Sequence, residues 1–314
     1  MAYPLVTVFG GSGFVGRHVV GLLGQQGWQV RVAVRRPDNA LFLKPAGSWA
    51  GQITPIGANI RDQASVERAL AGADAAINLV AILYEGGKQR FTALQEEGAG
   101  RVAETARRLG VRHLVHVSAI GADAASKSAY ARTKAAGEQA VLRAFPGAVI
   151  LRPSIIVGPE DGFFNRFAAM TMLSPALPLI GGGHTRFQPV YVGDVAQAAV
   201  KALTLPEAQG KTYELAGPRT YTFKELMQIL LHGIGRKRML VPLPFPLASL
   251  MGAVMQCLPA PQLTLDQVRL LKRDNVAAPG SLGLKDLGIT PNGLETILPT
   301  YLDKFRVRGN RSPA

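Results

Sequence analysis

Phe9-Gly10-Gly11-Ser12-Gly13-Phe14-Val15-Gly16 is the stretch on which the fold turns. It follows an apolar run at 5–9 and precedes residues whose apolar positions, Val19, Leu22 and Leu23, recur at helical spacing. Glycines at 10, 13 and 16 have separate tasks in such a strand–turn–helix. The first permits a tight turn, the second lets backbone approach a pyrophosphate, and the third allows close packing of helix on strand. The helix amino terminus, with Ser12, Phe14 and Val15 around it, then faces the phosphates. A glycine triplet alone is a weak signal, and its place between strand and helix gives it weight.

Outward from that loop, strand and helix signals alternate. Short apolar runs lie at 29–34, 53–56, 75–80, 113–117 and 148–151, with helical patterns over 91–109 and 129–145. The alternation predicts an α/β fold, a Rossmann-type doubly wound parallel sheet with helices on both faces. After about residue 152 proline and glycine become frequent, and helical patterns come as insertions at 163–173, 224–233 and 247–258. A nucleotide-binding domain is expected over 1–155, its core extended by about 188–204. Residues 156–314 mostly form a smaller, partly helical domain whose basic tail, from Lys304 to Arg311, is expected to fray.

The second strand ends in Val34-Arg35-Arg36-Pro37, where NAD-binding folds carry an acidic residue for the ribose hydroxyls. A guanidinium there suits a 2′-phosphate through charge-assisted, often bidentate bonds. Arg35 is therefore expected to select NADP(H). Arg17, just past the third glycine, is placed to add to that charge, while Arg36 has a solvent-facing reading as well.

The 314 residues carry 35 Lys and Arg against 21 Asp and Glu, a formal charge of +14. Such a surface favours anionic partners, although solubility alone also accounts for it. The basic residues are spread along the chain without a nucleic-acid motif, so no nucleic acid is expected. A single cysteine, Cys257, excludes a disulfide framework and a cysteine-rich metal site. His18, His113, His116, His184 and His232 lack metal-ligand spacing, and no metal is expected. His116, in a strand, reads as a packed core residue, and Asp194 as a helix N-cap. The opening residues lead straight into a strand, so no targeting peptide is expected. The charge-free stretch 239–265 is broken by five prolines and is too short in helix to span a bilayer.

Further motifs carry a family resemblance. They are Asn59-Ile60-Arg61-Asp62, Ile77-Asn78-Leu79-Val80, His116-Val117-Ser118, Tyr130-Ala131-Arg132-Thr133-Lys134, Leu151-Arg152-Pro153-Ser154 and Gln188-Pro189-Val190-Tyr191-Val192-Gly193-Asp194-Val195. From residue 5 to about 217 the chain resembles the extended short-chain dehydrogenase/reductase family, which includes NAD-dependent epimerases and dehydratases. Within it, the segments 77–79, 116–118, 144–154 and 158–165 resemble an atypical group, the nucleotide-binding accessory subunits of respiratory complex I. The resemblance implies that Asn59, standing where the family has Asp, and Ile60 frame the adenine. Leu79, Val80, Ala81, Pro153, Ser154 and Ile155 would line the dinucleotide. It also implies NADPH bound tightly as a structural ligand, Arg35 matching the group's arginine.

Ser118, Tyr130 and Lys134 match the family's catalytic set. Four residues separate Tyr130 from Lys134, so both share one helix face. A nearby ammonium is expected to lower the tyrosine pKa and ready it for proton exchange, with Ser118 orienting the same substrate oxygen. Against turnover, only residues 119–129 separate Ser118 from Tyr130, and they offer no evident substrate contacts. The pair also reads as an inherited cofactor clamp, with Lys134 on the nicotinamide ribose.

Two functions follow. One is an accessory, structural subunit of the respiratory complex, NADH:ubiquinone oxidoreductase, peripheral at the cytoplasmic face of the inner membrane. Its partners would be the complex's subunits and a membrane surface or anionic lipid, met by segment 246–258. That segment has a plainer reading as a helix packed in the small domain. The alternative is a free-standing NAD(P)-dependent reductase, epimerase or dehydratase; a redox-sensing regulator of related fold rests on fold alone. Co-migration with a large respiratory complex separates the first two.

Overall fold

The computed structural model describes residues 4–259 and 261–306. Of the basic tail, Arg308 and Arg311 lie outside the described residues. The chain begins β1 (Leu5–Phe9), α1 (Phe14–Gln25), β2 (Gln29–Val34), β3 (Ile53–Gly57), α2 (Gln63–Leu70) and β4 (Ala75–Asn78). It continues α3 (Glu97–Arg108), β5 (His113–Val117), α4 (Ala129–Ala144), β6 (Val149–Pro153), β7 (Ile156–Val157), α5 (Phe164–Leu173) and β8 (Ala176–Ile180). Then come β9 (Arg186–Phe187), β10 (Val190–Tyr191), α6 (Val192–Thr204), β11 (Thr212–Leu215), β12 (Tyr221–Thr222) and α7 (Phe223–Gly233). The last are β13 (Met239–Leu243), α8 (Phe245–Met255), α9 (Leu265–Leu270), α10 (Leu294–Ile297) and α11 (Pro299–Leu302).

Two compact units share this chain. The first comprises Met1–Pro153, Gly193–Leu215 and Gly280–Ile289; the second comprises Ser154–Val192, Ala216–Pro279 and Thr290–Ala314.

The first unit holds a seven-stranded parallel sheet in the order β11-β6-β5-β4-β1-β2-β3. Strands covered on both faces must be apolar throughout. Val6, Val8, Val30, Val32, Ile77, Val115 and Ile150 accordingly have no exposed surface. The order reverses between β1 and β4, and a crevice for ligand opens at such a switch point, beyond the carboxyl ends of the strands. The edge strand β11 was not legible in advance. In Thr-Tyr-Glu-Leu only Tyr213 and Leu215 are buried, too short an alternation to stand out. Arg152 of β6 ties this edge down, with two bonds to Glu138 of α4 (2.9 and 2.6 Å) and a contact to Glu214 of β11 at 3.6 Å.

Asp194 is not an N-cap. Helix α6 starts at Val192, directly after β10, which puts Asp194 inside its first turn and fully buried. The predicted helix over 91–109 is interrupted as well: Thr92–Glu96 form a π-helical turn before α3. There the Gln95 carbonyl lies where a Cβ at Gly137 of α4 would fall (1.9 Å), so only glycine lets the two helices approach.

In the second unit, β7 pairs with β10, β9 with β12 and β8 with β13. Its core gathers Phe163, Phe167, Phe187 and Phe223, whose rings meet at 5.3–6.3 Å. Buried Asp161 accepts the amides of Gly158, Phe163 and Asn165 and the Tyr301 hydroxyl. Burial, and then that carboxylate, push the Tyr301 pKa far up. The root of the basic tail is bonded rather than frayed: Arg236 reaches the Phe305 carbonyl (3.0 Å) and Arg306 that of Gly233 (3.1 Å). Helix α8 packs through small residues, Ala248 and Gly252, the latter against Thr264 and Leu265. Phe245 at its start packs inward as well, while Leu247, Leu250, Met251 and Val254 face outward, Leu250 64% and Val254 66% exposed. No helix among the described residues is long and apolar enough to cross a membrane.

Candidate dinucleotide site

The glycine loop follows β1 at the switch point. Gly10 has φ +78°, a conformation other residues rarely adopt. Its amide donates to the Ala33 carbonyl of β2 (3.1 Å), and its carbonyl accepts the Gly13 amide (3.0 Å). A Cβ on Gly16 would lie 2.4 Å from the Gly10 carbonyl, so loop and helix can meet only at glycine. Gly11, outside the triplet, is nearly as constrained: its Cβ would fall 2.8 Å from Val32. Gly13 differs, since a Cβ there would meet only the Gly10 carbonyl at 3.2 Å. The space over Gly13 is not filled by protein.

Helix α1 begins at Phe14 with no side-chain cap and no acid in its first turn. The free amides of that turn, with Val15 and Gly16 following, make a site for an anion. Across the switch, Asn78 ends β4 and its Oδ1 accepts the Val80 amide (3.1 Å). A Cβ at Gly10 would lie 3.4 Å from Leu79 and Val80, and Ala81 is exposed. These features fit a dinucleotide pyrophosphate laid over Gly13.

At the adenosine end, Arg35 is exposed and donates to Gln89 Oε1 (3.1 Å). Arg36 is exposed too, and Arg17 lies over the Phe42 ring at 5.1 Å. Asn59 Oδ1 accepts the Arg61 amide (3.1 Å) and Nε (3.4 Å), so the acceptor expected for adenosine is already engaged locally. Ile60 beside it is buried.

At the other end, Ser118 follows β5, and its buried Oγ has no hydrogen-bond partner. Ser128 caps α4 through the Ala131 amide (3.3 Å), which sets the phase of the helix. That phase buries Lys134, whose Nζ donates to the Val117 carbonyl (3.1 Å) and lies 5.9 Å from the Tyr130 ring. The three residues thus gather at the end of β5. A cavity of about 400 Å³ is lined by Phe91, Thr92, Arg132 and Thr133 among others, and by none of the three.

The electrostatics depart from expectation. Burial pushes the Tyr130 hydroxyl up to about 12 rather than down, so desolvation outweighs the ammonium. Burial also lowers Lys134 to about 8, against the pull of Glu138. His116, bonded to Asn78 (3.2 Å), falls to about 3 through burial and then Lys134. Pro153 ends β6 in the first unit. Ser154 and Ile155 open the second, bound to Asn275 by the serine hydroxyl (2.7 Å) and the isoleucine amide (3.0 Å). The sequence reading missed Gly11, Gln89 and the Asn78–His116 pair. Doubled glycine was a signal for the first, but Gln89 sits in a loop without a motif.

Parallel sheet, glycine loop and Tyr-x-x-x-Lys helix define a class of nicotinamide-dinucleotide-binding proteins. The model of the NAD dependent epimerase/dehydratase family matches residues 6–216, and the chain belongs to that family. It is 38% identical to NADH dehydrogenase [ubiquinone] 1 alpha subcomplex subunit 9, mitochondrial, of Arabidopsis thaliana, over 97% of this chain and 79% of that protein. The NADH-ubiquinone oxidoreductase 40 kDa subunit of Neurospora crassa is 32% identical, over 96% and 79%. Ceramide reductase of Caulobacter vibrioides is 32% identical, over 81% and 78%. The fold is shared with UDP-glucose 4-epimerase of Thermus thermophilus, solved in complex with NAD. It has a TM-score of 0.71 at 21% identity, over 98% and 100% of the two chains.

Proposed function

We propose that this chain is an NADPH-binding accessory subunit of respiratory complex I, NADH:ubiquinone oxidoreductase, with the nucleotide as a structural ligand. One observation carries the reading. Five curated proteins named as subunits of that dehydrogenase are 31–38% identical over 93–97% of this chain. NADPH rather than NADH is supported by Arg35, which stands where a carboxylate would repel the 2′-phosphate and commits only one of its bonds to Gln89. A peripheral place on the respiratory membrane is supported by the outward apolar side of α8. Between Glu225 and Asp266 there is no acidic residue, while Arg236, Lys237 and Arg238 add positive charge. In native detergent extracts the chain should elute with the respiratory complex, and elution as a lone chain would refute the proposal.

A second reading, a free-standing NAD(P)-dependent reductase, epimerase or dehydratase, is favoured by the identity to ceramide reductase and by the gathering of Ser118, Tyr130 and Lys134. A bound nicotinamide would supply or accept hydride. Tyr130, held protonated well above neutral pH, would be confined to donating its proton. Turnover of a carbonyl or sugar-nucleotide substrate that collapses in Tyr130→Phe would establish this reading instead.

A further inference from the structure

The segment between β4 and α3 makes an excursion that neither the fold nor the glycine loop requires. In the sheet, β1 lies between β4 and β2, and β3 lies beyond β2. To reach Arg35 at the end of β2 and Arg61 past β3, a segment leaving β4 must pass the carboxyl end of β1, where the glycine loop lies. It does reach them. Arg35 Nη1 donates to Gln89 Oε1 at 3.1 Å, and Arg61 Nη1 donates to the Lys88 carbonyl at 2.7 Å. Two adjacent residues are gripped by guanidiniums that follow two different strands, β2 and β3.

The segment is built to hold its own shape. Gly86 and Gln89 exchange both backbone bonds (3.0 and 2.9 Å), closing a tight hairpin. Glu85 Oε1 accepts the Phe91 amide (2.8 Å) and its carboxylate lies 3.7 Å from Arg90. At its far end buried Phe91 meets the Tyr130 ring edge-on, centroids 5.8 Å apart. Residues 85–91 therefore connect the adenosine end of the site, at Arg35, to the other end, at Tyr130. Around them the surface is open, with Leu83 64% exposed, so no packed core explains the position.

We propose that Glu85–Phe91 is a clasp over the dinucleotide, latched by Arg61 on Lys88 and by Gln89 on Arg35, and that it sets how slowly the cofactor leaves. This rests on the NADPH reading above. Arg61 and Gln89 are positioning residues. Arg61 holds the clasp down through backbone, and Gln89 both latches it and orients the Arg35 guanidinium, whose other N–H groups stay available to a phosphate. A latch of this kind accounts for a nucleotide that behaves as part of the structure rather than as an exchanging co-substrate.

The test uses the full chain loaded with NADPH, release being followed by nucleotide fluorescence after mixing with excess NADP⁺. Removing a hydrogen bond to a charged group should speed release roughly tenfold in Gln89→Ala and in Arg61→Ala. The double variant should be little faster than the faster single one, since both open one latch. A clasp acts on the whole ligand, so Arg61→Ala should speed NADH and NADPH release by the same factor, while Gln89→Ala, which also frees Arg35, should speed NADPH release the more. Limited proteolysis should also cut 85–90 faster in the loaded variants than in the loaded parent. Loaded variants that release NADPH at the parental rate would overturn the clasp and leave the cofactor reading standing. A parent protein that binds no NADPH would overturn both.

Discussion

In the NADPH reading proposed above, cofactor choice depends on Arg35, exposed at the end of β2 with one bond spent on Gln89. Arg35→Asp should abolish a preference for NADPH over NADH, because a 2′-phosphate would face a carboxylate; titration of both nucleotides checks it, and equal affinity in the parent protein would contradict the assignment. At the opposite end, Tyr130→Phe should leave NADPH binding intact, whereas Lys134→Met should weaken it. In a working enzyme Tyr130→Phe would instead cost about two or more orders of magnitude in turnover. His116 yields a pH prediction. Its pKa is depressed from 6.5 to about 3, so the unfolded chain takes up a proton below 6.5 that the folded chain refuses. Its contribution is therefore complete above 6.5 and is lost as pH falls toward 3, by roughly 1 kcal/mol per pH unit. Denaturant melts from pH 7 to 4 should show that slope, reduced in His116→Asn. The Tyr–Lys pair was legible in the sequence from its spacing, but its protonation was not, because spacing carries no information on how deeply α4 buries it.

Among the elements, the loop–helix junction separates two kinds of glycine. Gly16→Val should prevent the first unit from folding normally, since even a Cβ meets the Gly10 carbonyl at 2.4 Å. Gly13→Val faces protein only at 3.2 Å, so it should melt near the parental temperature yet fail to bind nucleotide; a large loss of stability there would contradict the geometry. Arg152→Ala should destabilise by about 3–5 kcal/mol, because it strands the buried Glu138 carboxylate without its two bonds; chemical denaturation reads this directly. Strands β1 to β6 were readable as apolar runs between turn signals. Edge strand β11, the π-turn at Thr92–Glu96 and the early start of α6 were not. Each is decided by tertiary partners: the β6 edge, the Gly137 approach and the run-on from β10.

At the scale of the whole molecule, the two units place different demands on the surroundings. The first is a complete dinucleotide-binding sheet. The second carries α8 with small residues inward and Leu250 and Val254 outward, the reverse of a helix folded for water. Proline spacing announced a short apolar helix there, but which face would be buried was set by Gly252 against Thr264, a contact invisible in the sequence. Such a face asks for a covering surface, and the subunit proposal provides one. The proposal is tested most directly by isolating, in mild detergent, whatever assembly the chain belongs to through an affinity tag on it, then identifying the proteins and the nucleotide released on denaturation. The expected result is the subunits of NADH:ubiquinone oxidoreductase and one NADPH or NADP⁺ for each copy of this chain. Recovery of the chain alone, or of the complex without nucleotide, would contradict it.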